Sequence, residues 1–310
     1  MNRAIITGAT GAIGIALIEK LVEEGMEVLV LCHKNSQRIE SIPKSPLVHV
    51  NECDMSDYGN FNLKNEEKFD VFYHLAWSNT TGEGRNNMEA QIQNIEYALD
   101  AVNLAYRMGC KVFVGAGSQA EYGRTDEKLN GETPTFPENG YGMAKLCAGQ
   151  MSRIECSRRK IKHIWTRILS VYGPYDGKNS MISSSISSLL ENKSPALTKG
   201  EQRWDYLYCK DAANALYLLG EKGIDGKIYC IGSGEAKPLK EYILEIGKVI
   251  NPQVELGFGK IEYSNNQVMN LCADISELTE DTGFEPKVKF SDGIKETINW
   301  IKGEKRNAED

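Results

Sequence analysis

Tyr141 and Lys145 stand four residues apart in the run Tyr141-Gly142-Met143-Ala144-Lys145. On a helix that spacing puts two side chains on one face, with Cβ atoms about 5–6 Å apart. A phenol then lies beside an ammonium. A neighbouring cation favours phenolate and lowers a tyrosine pKa from its ordinary value of about 10. A tyrosine tuned in this way can exchange a proton with a substrate hydroxyl near neutral pH, which is the work of a general acid/base. The same pair arises by chance on many helices, so its weight depends on what the chain places around it.

A second stretch with chemical meaning is Gly8-Ala9-Thr10-Gly11-Ala12-Ile13-Gly14. It follows the apolar run Ala4–Thr7 and opens an amphipathic helix reaching about Glu24, which Gly25 ends before the valine- and leucine-rich run Glu27–Cys32. Strand, glycine turn, helix and strand make a βαβ unit. In that context glycine lets the backbone approach a pyrophosphate, and the helix N-terminus offers unpaired N–H groups and a positive dipole end. The turn, through Gly8, Thr10, Gly11, Ala12, Ile13 and Gly14, therefore reads as a dinucleotide site.

The elements that must position these groups alternate in the same way. Leu47–Val50 reads as a strand, followed by Asp54 and Met55 at a place suited to an adenine ring. Phe69–His74 is a strand leading into Leu75, Ala76 and Trp77, and a long helix spans about Asn87 to Met108. Lys111–Val114 is a strand leading to Ser118, and His163–Leu169 is a sixth strand after the helix carrying Tyr141 and Lys145. Buried parallel strands alternating with helices predict an α/β fold built on a doubly wound parallel sheet. Ligands of such sheets sit outside the carboxyl ends of the strands. Ser118 and Tyr141 both follow one strand end, so the fold brings them together.

Composition narrows the class. The 310 residues, 41% hydrophobic and 25% charged, are those of a soluble globular protein with room for a second lobe. A net charge of −7 and a pI near 5.4 exclude nucleic acid and anionic membrane as main partners. No run of about 18 apolar residues predicts a membrane span. The start, Met1-Asn2-Arg3-Ala4, leads at once into a strand and does not read as a signal peptide. Eight cysteines without a Cys-x-x-Cys pair suit reduced thiols in a cytoplasmic protein, and the four histidines show no metal-ligand spacing.

With these pieces assembled, the chain resembles the extended short-chain dehydrogenase/reductases of the NAD-dependent epimerase/dehydratase family, which act on nucleotide-linked sugars. The resemblance rests on Thr7-Gly8…Gly11…Gly14, His74-Leu75-Ala76, Ser118…Tyr122-Gly123 and Tyr141…Lys145. It continues through Arg167…Val171-Tyr172-Gly173-Pro174 and Gln202-Arg203-Trp204-Asp205-Tyr206…Asp211. It implies a Rossmann-type dinucleotide-binding domain over residues 1–172. A smaller C-terminal α+β substrate lobe would span 173–310, with some segments returning to the sheet. It further implies that Tyr141 is the acid/base at the sugar carbon, and that Lys145 holds the nicotinamide ribose and lowers the tyrosine pKa. Ser118 would hydrogen-bond the same sugar oxygen. Asn94 matches a polar position of the family and reads equally well as a helix-surface asparagine. Two departures stand out. The Asp-Glu pair that serves dehydration after the serine is replaced by Gln119 and Ala120, with Glu121 one place late, so dehydration is not expected. Ser170 stands where an asparagine is expected.

The residue closing the second strand selects the cofactor. The usual ribose-binding acid falls at Cys32, and His33, Lys34, Ser36 and Arg38 follow. A carboxylate-free end with cations and a hydroxyl favours the 2′-phosphate of NADP(H), with NAD(H) as the alternative. That leans toward a 4-keto-sugar reductase, against a 4-epimerase or a non-catalytic cofactor sensor. In the second lobe, helices are predicted at Met181–Leu190, Lys210–Gly220, Pro238–Ile250, Ile275–Asp281 and Ser291–Ile301, and strands near Trp204–Tyr208 and Lys227–Ile231. Arg203 suits the substrate diphosphate and Asn179, with Lys178 and Ser180, the nucleotide, while Ser78, Asn79 and Gln119 would line the sugar side. The resemblance also implies a homodimer through the helices at about 87–108 and 140–159. The polar tail 303–310 is expected to fray.

Overall fold

The central strands are short runs of valine, isoleucine, leucine and phenylalanine, as sheets covered on both faces require. The computed structural model describes residues 1–63, 67–264 and 267–307. Its first half contains β1 (Arg3–Thr7), α1 (Ala12–Glu23), β2 (Glu27–Cys32), β3 (Val48–Glu52), β4 (Val71–His74), α2 (Met88–Arg107), β5 (Val112–Ser118), α3 (Gly140–Arg159) and β6 (Lys162–Ile168). The remainder contains β7 (Ser170–Tyr172), α4 (Met181–Leu190), β8 (Arg203–Trp204), β9 (Tyr206–Tyr208), α5 (Cys209–Lys222) and β10 (Ile228–Ile231). It closes with β11 (Lys237–Pro238), α6 (Leu239–Ile250), β12 (Asn270–Leu271), α7 (Ser276–Thr282) and α8 (Phe290–Asn307).

Seven strands form one parallel sheet in the order β10-β6-β5-β4-β1-β2-β3. From β1 the chain builds outward through β2 and β3, then crosses to β4 and builds the other way. Direction therefore reverses between β1 and β4, where Thr7 pairs with both Leu31 and His74. Side chains alternate across the strands. Ile6, Val28 and Val30 face the helices α1 and α5, while Ile5, Leu29, Phe72 and Phe113 face Ala101, Val102 and Cys156 of α2 and α3.

Beyond Tyr172, α5 packs back beside α1 and β10 joins the sheet edge next to β6. The strand expected near Trp204–Tyr208 is two strands in different small sheets, β11-β8-β12 and β7-β9. Asp205 stands between them, and its buried carboxylate accepts backbone N–H groups of Ser233, Gly234 and Ala273 at 2.7, 3.1 and 3.0 Å, tying the break to two distant loops. The tail is not frayed through Asn307, for α8 runs that far, with Ile301 buried and Lys305 paired to Glu191 at 2.7 Å. Residues 308–310 lie outside the described residues. Seven of the eight cysteines are buried, and only Cys147 is partly exposed, its sulfur 3.4 Å from that of Met151.

Candidate active site

The glycine turn leaves β1 at the point where strand order reverses. Gly8 has φ +71° and lies so close to β4's exit that a Cβ would stand 2.6 Å from the Ala76 nitrogen; at Gly14 a Cβ would stand 2.4 Å from the Gly8 carbonyl oxygen. At Gly11, by contrast, a Cβ would meet nothing within 4 Å, because the position faces open space. The first intrahelical bond is Ile15 N to Gly11 O at 2.9 Å, and the first turn of α1 carries no acidic residue. The N–H groups of Ala12, Ile13 and Gly14 thus remain for an anion, and these residues line a cavity of about 400 Å³. The donor set fits a dinucleotide pyrophosphate.

The opposite wall of the same cavity is formed by Leu75, Trp77, Ser118, Tyr141 and Lys145. Strand β5 runs on beyond the expected Val114 and ends at Ser118, whose Oγ accepts the Ala120 N–H at 3.2 Å. Its hydroxyl proton is left free, and the Tyr141 phenol shares the same cavity wall. Asn139 caps α3 by accepting the Gly142 N–H at 2.9 Å, fixing where Tyr141 starts the helix.

The expected electrostatics of the pair need correction. Tyr141 and Lys145 share a helix face, but their polar ends diverge. The Lys145 ammonium donates to the Ala116 carbonyl at 2.5 Å and sits 3.8 Å over the Trp77 ring, 5.9 Å from the centre of the Tyr141 ring. Burial pushes it down to about 7, with Glu121 working weakly the other way. Burial likewise raises Tyr141, opposed by Ser118 and by Arg85.

Glu121 is not a stray dehydration acid. It is fully buried and accepts from Ser118 N (2.8 Å), Trp165 Nε1 (3.1 Å) and Arg167 Nε (2.8 Å), while burial lifts its carboxyl and Arg167 counters. Ser170, standing where an asparagine is expected, accepts from Trp204 Nε1 at its Oγ at 2.7 Å. His74, pushed by burial down to about 3, lies with Nδ1 3.0 Å from Thr7 Oγ1 and ties the ends of β1 and β4 together.

Other predicted positions fall elsewhere. Asn94 is buried and holds the backbone and side chain of Ser78 at 3.0 Å each, so it is no helix-surface residue. Gln91, which the sequence reading passed over, accepts from Trp77 Nε1 and donates to the carbonyls of Asn79 and Gly84. Asp176 and Thr80, also unforeseen, line the cavity. Asn79 and Asn179 are exposed. The β2 end is not carboxylate-free. Asp57 pairs with Lys34 Nζ at 2.6 Å, Asp54 accepts the Lys34 N–H at 3.0 Å and stands 3.8 Å from His33, and Met55 packs against the core beneath. Arg38 donates to the Tyr175 carbonyl at 3.4 Å. Arg203 donates to the Ala236 carbonyl at 2.6 Å and lines a separate depression with Lys128 and Lys237.

Comparison with known proteins agrees with this arrangement. The family model described as "NAD dependent epimerase/dehydratase family" matches residues 4–232. A dTDP-D-glucose 4,6-dehydratase of Mus musculus is 26% identical, over 97% of this chain and 89% of that protein. A dTDP-4-dehydro-6-deoxyglucose reductase of Escherichia coli is 25% identical, over 97% and 98%. The structure of a UDP-N-acetylglucosamine 4-epimerase from Methanobrevibacter ruminantium M1, in complex with UDP-N-acetylmuramic acid, superposes with a TM-score of 0.87 at 21% identity. It covers 98% of this chain and 99% of its own, and supports the fold. With the matched region running from β1 through β10 and enclosing both walls of the cavity, the protein is an enzyme of the NAD-dependent epimerase/dehydratase family.

Proposed function

We propose that the protein is an NAD(P)-dependent oxidoreductase acting on a nucleotide-diphospho-sugar, and that it reduces a 4-keto group with Tyr141 as proton donor. The observation that carries this reading is the shared cavity, with the glycine cradle on one wall and Ser118, Tyr141 and Lys145 on the other. When bound, the dinucleotide supplies hydride to the carbonyl carbon. Tyr141 gives its proton to the carbonyl oxygen, and the Ser118 hydroxyl orients both oxygens. Lys145, which donates to the Ala116 carbonyl, would hold the nicotinamide ribose. Glu121 holds the Ser118 backbone, and Gln119 and Ala120 stand where the acid pair that serves dehydration would be.

Reduction, and NADP(H) over NAD(H), is supported by Cys32 at the end of β2 and by Arg38, whose side chain donates to the Tyr175 carbonyl near Asp176. The second reading, a 4-epimerase using NAD, draws on the Lys34–Asp57 pair, which removes one cation from the phosphate site. Ser78, Asn79, Gln119, Asn179 and Arg203 are the proposed sugar-nucleotide contacts, and α2 and α3 the proposed homodimer face.

The test is turnover of a 4-keto-sugar nucleotide with NADPH and with NADH, in the parent and in Tyr141→Phe. Stoichiometric loss of NADPH is expected, with the variant slowed about 10²–10⁴-fold while still binding cofactor. A phenylalanine variant of near-parental rate would sink the acid/base assignment. Interconversion of 4-epimers without net cofactor consumption would decide for the epimerase.

A further inference from the structure

Trp77 follows the end of β4 and lines the cavity together with Tyr141 and Lys145. The Lys145 ammonium sits 3.8 Å from the centre of its indole ring, and the Tyr141 ring stands at 89° to that indole, with ring centres 6.3 Å apart. Two buried amides, three residues apart on one face of α2, hold the loop that carries the indole. Trp77 Nε1 donates to Gln91 Oε1 at 3.0 Å, and Gln91 Nε2 donates to the Asn79 and Gly84 carbonyls at 3.0 and 3.1 Å. Asn94 accepts the Ser78 N–H at 3.0 Å and donates to the Ser78 carbonyl at 3.1 Å. The ring plane is thereby fixed. Lys145 is buried, and its hydrogen bond goes to the neutral Ala116 carbonyl at 2.5 Å. A carbonyl takes one of the three ammonium protons and brings no charge. An indole face carries the negative end of the ring quadrupole, and it attracts a cation most strongly where water is shut out.

We propose that Trp77 is a positioning residue for Lys145: its clamped indole face seats the ammonium and keeps it charged, ready for the nicotinamide ribose and the Tyr141 phenol. This rests on the reading of Lys145 as the partner of that ribose and that phenol. The titratable and charged groups around the ammonium are Tyr141 on α3, Glu121 from the turn after β5, His74 at the end of β4, and Arg85 on the far side of the Tyr141 ring. Glu121 is paired with Arg167 at 2.8 Å, and burial keeps His74 neutral. The indole face and the Ala116 carbonyl are then the groups that hold the ammonium in place.

The test reads the Lys145 proton directly and needs no substrate. Protein labelled with carbon-13 at the lysine Cε is titrated by NMR between about pH 5 and 10, and Lys145→Met identifies the signal. Tryptophan is then replaced by its mono-, di- and trifluoro forms, which keep the shape of the ring and drain charge from its face. The Lys145 midpoint, about 7 in the parent, should fall stepwise along the series, by about one pH unit in all. In a Trp77→Phe background the same fluorinated tryptophans occupy only the three other positions and should move nothing. Trp77→Phe, which keeps a ring face, should itself lower the midpoint less than Trp77→Leu. A flat fluorine series overturns the proposal, and so does a series equally steep in Trp77→Phe. Because fluorination preserves the fold's packing, this arm holds even where Trp77→Leu fails to fold. Calorimetry of NADPH binding completes the test: the trifluoro protein should bind about fivefold more weakly at about pH 7, where fewer of its molecules carry the ammonium. Failure of the functional reading looks different, for the midpoint would then fall along the series while NADPH affinity ignored it.

Discussion

A buried ammonium with no carboxylate in contact is costly, and Lys145 is in that position: 3% exposed, with a carbonyl and an indole face for neighbours. Its value in the folded protein, about 7, lies below the 10.5 of an ordinary lysine. Below about pH 7 both folded and unfolded forms carry the charge, and the folded form bears the full cost. Between about pH 7 and 10.5 the folded form sheds its proton first, so stability rises with pH across that window. Lys145→Met should therefore be more stable than the parent by a few kcal/mol at about pH 6, net of the lost Ala116 bond, with the gap closing toward about pH 10. Urea unfolding at both pH values checks this, and a pH-independent gap would refute it. Spacing alone made the shared helix face of Tyr141 and Lys145 readable. It could not reveal that the two polar ends part, because i, i+4 spacing fixes Cβ positions and leaves the rotamers to the surroundings.

Among the elements, the β1–α1 turn separates shape from contact. Gly14→Ala forces a methyl to within 2.4 Å of the Gly8 carbonyl, so the turn must open; loss of about 1–3 kcal/mol is expected, together with cofactor binding. Gly11→Ala puts its methyl into open space, and should keep stability within about 1 kcal/mol while weakening the cofactor through intrusion into the cavity. Thermal shift with and without NAD(P)H distinguishes the two, and equal destabilisation would refute the distinction. The alternation of strands and helices was legible because buried parallel strands read as unbroken apolar runs. Gln91 and Asn94 were not, because polar residues on an amphipathic helix read as solvated until a loop is seen folding onto them. Likewise the break at Asp205 depends on N–H groups some 28 and 68 residues away.

At the scale of the whole molecule, α2 and α3 leave large apolar side chains in the open: Met88, Ile92 and Tyr106 on one, Met143, Met151 and Ile154 on the other. A face of this kind suits a second copy of the chain. Changing Ile92 and Ile154 together to Glu should convert a dimer into a monomer in sedimentation while leaving the fold intact, since both are at least half exposed. A parent that already sediments as a monomer would refute the proposal. Contacts between distant parts of the chain, such as Arg38 to the Tyr175 carbonyl or Arg203 to that of Ala236, were beyond sequence reading. Local patterns say which residues are polar, and only the closed fold says which carbonyl lies opposite. The sealed sulfurs have one further use. With seven thiols shut away, Cys147 is the single handle that a maleimide dye would find on the unaltered protein. It lies four residues from both Met143 and Met151, on their stripe of α3, so a fluorophore there would dim or brighten as another copy approached.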